Sequence, residues 1–171
     1  MSRGLHSFSI VGLPGKAVEE AKDRVNSAIK NSGFPSPKSQ NQKITISLSP
    51  ADVKKEGPLF DLPIAIAYLL SAGKIRTDGE KRMFVGELGL DGTLRRVNGV
   101  LPIIQTAKKE GYTEVVVPSS NAEEAGLVEG IKVYGAESLA EVILHIDENR
   151  EDHKKLPLQK VTVIEASWNN S

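Results

Sequence analysis

Residues 50–70 read PADVKKEGPLFDLPIAIAYLL, and the fold is decided here. The segment opens on a charged, turn-forming run, Ala51-Asp52-Val53-Lys54-Lys55-Glu56, and bends at a Gly57-Pro58 corner. Asp61 then stands directly before Leu62-Pro63-Ile64. An aspartate at an N-cap accepts from an orphan N–H, and a proline in the first helical positions has no N–H to leave unpaired. The pair therefore predicts a helix start with Asp61 as the cap. From Leu62 to Leu70 the run is apolar throughout, and a helix apolar all round belongs inside a domain. Burying Leu62, Ile64, Ile66, Leu69 and Leu70 stabilises by roughly 1.5–3 kcal/mol each before chain entropy is counted. This is the core helix, and the charged loop in front of it is held where function can use it.

Upstream, Ser7-Phe8-Ser9-Ile10-Val11 alternates as a short strand, and Gly12-Leu13-Pro14-Gly15 is a loop. The next helix runs to about Asn31. Its apolar positions Val18, Ala21, Val25, Ala28 and Ile29 step by three and four, with Lys, Glu, Asp and Arg on the other face. Asn31-Ser32-Gly33 stops it. Residues 35–42 read as a flexible loop and Ile44–Leu48 as a half-buried strand. Downstream, Met83–Leu88 reads as one strand and Asp91-Gly92 as a hairpin turn, with Thr93-Leu94-Arg95-Arg96 returning. A helix from Val100 to Glu110 stops at Gly111, and Glu114–Val117 is a buried strand closed by Pro118. Ser119-Ser120-Asn121 caps a short helix with Glu123 and Glu124 in its first turn. Ile131–Tyr134 is a strand, Ser138–Ile146 a last amphipathic helix, and Val161–Ile164 a late strand or ordered tail. Strands interleaved with helices, plus one hairpin, predict a mixed sheet covered by helices, an α/β or α+β layer fold.

At 171 residues the chain suits one domain with a real core. Lysine plus arginine and aspartate plus glutamate number 22 each, so no global field advertises nucleic acid or membrane. Contact with DNA must then come from a local patch or from a partner domain. The absence of cysteine excludes disulfides and thiolate chemistry and fits a cytoplasmic protein. No run approaches the roughly 20 apolar residues of a membrane span, so no membrane partner is expected. His6, His145 and His153 lack metal-ligand spacing.

The chemical motifs mostly fail their own tests. Gly15-Lys16 invites a phosphate loop, but the required earlier glycine is Ile10 and the magnesium-binding Ser/Thr is Ala17. Gly86, Gly89 and Gly92 read as turn and bulge glycines, because no helix follows directly. Asp52, Glu56 and Asp61 form a carboxylate group better read as a cap plus loop charges. Arg95-Arg96, together with Lys81-Arg82, make a candidate basic patch, since arginine forks suit phosphate.

The motifs become recognisable as a set. Phe8-Ser9-Ile10-Val11-Gly12-Leu13-Pro14, Ala28-Ile29-Lys30-Asn31-Ser32-Gly33-Phe34, and Leu48-Ser49-Pro50-Ala51-Asp52 occur in order. Lys54-Lys55-Glu56-Gly57-Pro58, Phe60-Asp61-Leu62-Pro63-Ile64-Ala65 and Phe84-Val85-Gly86-Glu87-Leu88 follow. The chain resembles the amino-terminal domain of the magnesium-chelatase-like AAA+ ATPases of the ComM/YifB competence-protein family.

That resemblance implies a Lon-protease-like (ChlI-type) domain, of ribosomal protein S5 domain 2-like fold, over residues 1–146 without its usual first strands. Residues 147–171 would be a tail or linker toward an AAA+ module outside this chain, where ATP and magnesium would bind. No cofactor or metal is expected within this domain. The family implies a cytoplasmic hexamer that drives DNA branch migration in transformation and recombination.

Lon-type proteases place a serine after an acid-Gly-Pro turn and a lysine after a Gly-containing turn. Here Glu56-Gly57-Pro58 is followed by Leu59, and Asn98-Gly99-Val100 by Leu101. Two leucines cannot activate a peptide bond, so the resemblance implies a silent dyad and a platform role. The expected partner or DNA contacts are Lys54, Lys55, Leu59 and Phe60 in the loop, with Leu59 and Phe60 as exposed apolar anchors, and Arg95 and Arg96 on the hairpin. A divergent Ser-Lys peptidase and a purely structural domain are the competing readings.

Overall fold

The computed structural model describes residues 7–11, 15–37, 43–47, 57–77 and 81–160. Expectations for Lys54, Lys55, Asp52, Glu56, residues 38–42 and the strand or tail at 161–164 lie outside these residues.

The apolar run folds as helix α2 (Asp61–Ser71), with Leu62, Ile64, Ala65, Ile66, Tyr68 and Leu69 buried. Helix α1 (Gly15–Asn31) packs on it through Ala21, Val25, Ala28 and Ile29, which are fully buried. Strand β1 (Ser7–Val11) precedes α1 and strand β2 (Lys43–Ser47) follows it, paired in parallel from Ser7↔Lys43 to Val11↔Ser47. A parallel pair needs a crossover, and α1 supplies it.

A second parallel sheet lies in the later half, in the order β3 (Arg82–Phe84), β6 (Glu114–Pro118), β7 (Lys132–Ala136). Between β3 and β6 come the hairpin β4 (Glu87–Leu88) and β5 (Leu94–Arg95), then helix α3 (Val100–Lys109). Short helix α4 (Ala122–Ala125) joins β6 to β7, and α5 (Leu139–Ile146) follows. Every residue of β6 is buried, as a central strand covered on both faces requires. Val116 joins α1, α2 and α5 in one core cluster, while Val115 and Val117 join α3 and α4 in another. The alternation of a strand thus divides the helices between two faces. The α/β reading with helices over a mixed set of strands holds, with the strands grouped as a parallel pair, a parallel triplet and a hairpin.

Helix ends follow local rules. After α1, α2 and α3 the chain turns through Gly33, Gly73 and Gly111 at φ 92°, 72° and 88°. In each case the next residue's N–H reaches back to the last turn, as Phe34 does to Ile29 O and Tyr112 to Ala107 O. Ser138 caps α5, its Oγ accepting from Glu141 N at 3.2 Å, and Glu141 Oε1 accepts from Glu137 N at 3.1 Å.

Three expectations are corrected. Asp61 makes no capping bond; Phe60 occupies the N-cap position, and the Asp61 carboxylate is used elsewhere. Asn121 does stand at the N-cap position of α4, but its side chain makes no capping bond. Its side chain clasps the backbone of Val97 on both sides, Oδ1 accepting from Val97 N at 3.0 Å and Nδ2 donating to Val97 O at 2.9 Å. The single strand at 83–88 is split, because Gly86 leaves the ladder to bond the turn before α2. Gly86 N donates to Leu59 O and Leu62 N donates to Gly86 O, both at 3.0 Å. A Cβ on Gly86 would lie 2.8 Å from Leu94 Cδ2, so any larger residue here must displace the Leu94 side chain.

After α5 the chain stays on the domain. Lys154 N donates to Leu144 O at 3.1 Å, Gln159 N donates to Val133 O at 2.8 Å, and Leu158 bridges Tyr134 on β7. Leu156 packs against the α1–α2–α5 core.

Candidate functional site

The site is built where the turn before α2 meets the hairpin. Gly57–Phe60 forms one 3₁₀ turn, pinned to Gly86 by the two bonds described above. Leu59 points to the α3–α4 core and Phe60 to the α1–α2–α5 core, both half-buried. Neither is an exposed anchor. Apolar side chains on a turn that straddles two cores gain more from each core than from solvent.

A small cavity of about 150 Å³ opens beside the turn, lined by Pro58, Leu59, Glu87, Arg96, Val97 and Asn98. Val97 is held by the Asn121 clasp, so the cavity has a rigid wall. Among the described residues its lining holds no hydroxyl, thiol or lysine amine. Leu101 packs on the same α3–α4 core as Leu59 and also lines a wider groove of about 840 Å³ with Gln105, Lys108, Leu127 and Val128. The two leucines at the resemblance's dyad positions therefore share one apolar cluster.

The hairpin arginines diverge. Arg96 Nη1 donates to Ser120 O at 2.7 Å, tying the hairpin to the end of β6. Arg95 is exposed and lies across the ladder from Glu87. The turn between them is stiffened by Asp91, whose Oδ1 accepts from Thr93 Oγ1 at 2.7 Å and Thr93 N at 3.1 Å. These Thr93 bonds hold the Asp91 carboxyl below the usual range, and Arg95 adds to the effect. Leu90 beside it is an exposed apolar side chain.

The wider basic patch does not form. The Arg82 side chain is buried and bound to Glu114, its register partner, at the end of the sheet opposite Ser120. Lys81 is exposed at that same far end. Arg95 is thus separated from both by the length of β6.

Beneath the site lies a network that sequence reading missed. Asp61, fully buried, accepts from Arg24 Nε at 2.6 Å, Arg24 Nη2 at 3.0 Å and Leu88 N at 3.1 Å. It joins α1, α2 and the hairpin at one point. Burial pushes its carboxyl up to about 6, against the pull of Arg24 and Leu88. A lone acid inside an apolar helix was the available signal; nothing in the sequence names Arg24 as its partner. Among the described residues no group of His, Asp and Glu side chains is gathered to hold a metal ion, and no helix is long and apolar enough to cross a membrane.

The sequence pattern of the family described as "Subunit ChlI of Mg-chelatase" matches residues 1–121. Competence protein ComM of Haemophilus influenzae is 41% identical over 100% of this chain, which corresponds to 32% of that relative. The uncharacterized protein YifB of Escherichia coli is 44% identical over 76% of the chain and 25% of its own length. DNA repair protein RadA of Streptococcus pneumoniae is 36% identical over 61% of the chain and 24% of its own length. The chain spans a third or less of each of these curated relatives. Matched over most of its length by that family and by ComM and YifB, the chain belongs to the Mg-chelatase-like ChlI family.

Proposed function

We propose that this chain is a non-catalytic, Lon-protease-like domain that serves ring assembly and DNA contact for an ATP-driven branch-migration motor in transformation and recombination. The observation that carries this reading is the leucine pair. Leu59 and Leu101 stand at the dyad positions and pack into one core, while Arg95 stays exposed on the hairpin beside the cavity. A peptidase needs a hydroxyl within roughly 2.6–3.2 Å of a base, and an apolar cluster offers neither. Two of the relatives, a competence protein and a DNA repair protein, supply the DNA context. In this reading the parent is a cytoplasmic hexamer, with ATP and magnesium bound in a module outside this chain.

The test is light scattering of the chain alone and with single-stranded and forked DNA at two salt concentrations. A hexamer, or DNA binding that weakens with salt, supports the reading. Arg95→Ala should then lower the slope of log affinity against log salt by about 1. A monomer indifferent to DNA would leave only a structural role, and fluorophosphonate labelling would return the peptidase.

A further inference from the structure

Behind the three-stranded sheet, at the end away from the hairpin, lies a polar cluster with no part in the proposed function. His145 sits in the last turn of α5 and is 1% exposed, its ring centroid 4.5 Å from that of Tyr134. Its two nitrogens meet opposite demands. Nδ1 accepts from Leu156 N at 2.9 Å, so Nδ1 carries the lone pair and Nε2 the proton. Nε2 has no hydrogen-bond partner and stands 3.8 Å from Glu114 Oε1. Glu114 in turn binds Arg82. Burial pushes the Glu114 carboxyl up, but His145 and Arg82 outweigh it and hold the group below its ordinary value. An ionised carboxylate therefore faces one edge of the ring while a backbone donor occupies the other.

We infer that His145 is a proton-operated latch for the strap of residues 153–160. A second proton on the ring must go to Nδ1, the atom that holds Leu156. The imidazolium is a donor at both nitrogens, so the Leu156 N–H then faces another donor and its bond is lost. What replaces it is a charge pair with Glu114. The neutral ring holds the strap; the charged ring holds Glu114 and lets Leu156 go.

The charged and titratable groups on the surrounding elements are Glu114 from β6, Arg82 from β3 and Tyr134 from β7. Asp147 follows α5, and His153, Lys154 and Lys155 lie on the strap. His153 does not reproduce the effect. Its Nδ1 lies 2.6 Å from Leu144 O, a carbonyl, so that nitrogen is already a donor and protonation of Nε2 leaves the bond intact.

The test is amide hydrogen exchange of the 171-residue chain by NMR, read as protection factors between pH 8 and pH 5. Leu156 should lose about five- to tenfold protection as pH falls, while Ile66 inside α2 keeps its own. In His145→Gln the side-chain oxygen accepts from Leu156 and has no proton to gain, so protection should become flat. His153→Asn should keep the wild-type dependence. Glu114→Gln removes the charge that the protonated ring pairs with and should shrink the loss of Leu156 protection over the same range. Flat Leu156 protection in the wild type, persistent pH dependence in His145→Gln, an undiminished loss in Glu114→Gln, or joint loss at Ile66 would each overturn the latch.

Discussion

Asp61 and Glu114 are both buried carboxylates bound to an arginine, and they differ in what else surrounds them. Asp61 is 0% exposed, with one cation, one backbone donor and a nearby acid, Glu87. Burial wins there, and the carboxyl rises to about 6. Glu114 is 7% exposed, and burial pushes it up as well. With both His145 and Arg82 beside it, the opposing attraction wins and the carboxyl falls below its ordinary value. An arginine alone does not decide whether a buried acid is comfortable; the sum of donors against lost hydration does.

The largest effect that would break this comparison is at Asp61. Asp61→Ala leaves Arg24 and Leu88 N without their acceptor and should cost roughly 3–5 kcal/mol in urea unfolding at pH 7. The double change Arg24→Met with Asp61→Leu should recover most of that loss, because a packed apolar pair replaces an ion pair whose desolvation is costly. If the double variant is as weak as the single one, the network matters for its geometry and not its charge balance.

The pH dependence comes next. Asp61 has a folded value raised above the unfolded one near 3.9. Its contribution is fully present below about pH 4 and is lost as pH rises through about 6. Over that window it amounts to at most about 3 kcal/mol. Comparing a Glu114→Gln chain with its Asp61→Asn double variant should show this gain on acidification. Glu114 runs the other way. Its contribution is present above its unfolded value near 4.3 and is lost as pH falls through the lower folded value. Glu114→Gln should therefore cost about 1–3 kcal/mol at pH 7 and progressively less in acid, read from urea midpoints at each pH. The smallest effect is at the exposed Arg95, where Arg95→Ala should leave stability within about 0.5 kcal/mol of the parent chain.

The same contrast explains what could be read from the sequence. Helix ends at Gly33 and Gly111 are legible because their signals act within one turn of chain. The apolar run of α2 announced its own burial. Asp61 was misread as a cap because local rules weigh only nearby donors, and its partner Arg24 lies 37 residues away. Asn121 repeats the lesson, with its partner Val97 24 residues distant. The break between β3 and β4 was hidden for a related reason, since Gly86 is claimed by a turn from another part of the chain. At the candidate site, Leu59 and Leu101 were found through resemblance. That Leu59 and Phe60 reach two different cores, and that Arg96 is engaged while Arg95 is not, depends on tertiary packing that no spacing rule encodes.

The strap has one more consequence, for aggregation. In the order β3, β6, β7 the last strand is a sheet edge, and an uncovered edge invites pairing with another chain. Leu158 and Gln159 cover that edge at Tyr134 and Val133. A fragment trimmed at Ile146, where α5 ends, would keep every named helix and strand among the described residues yet present β7 as a bare template. Solubility would then depend on a dozen residues that look, from their composition, like dispensable tail.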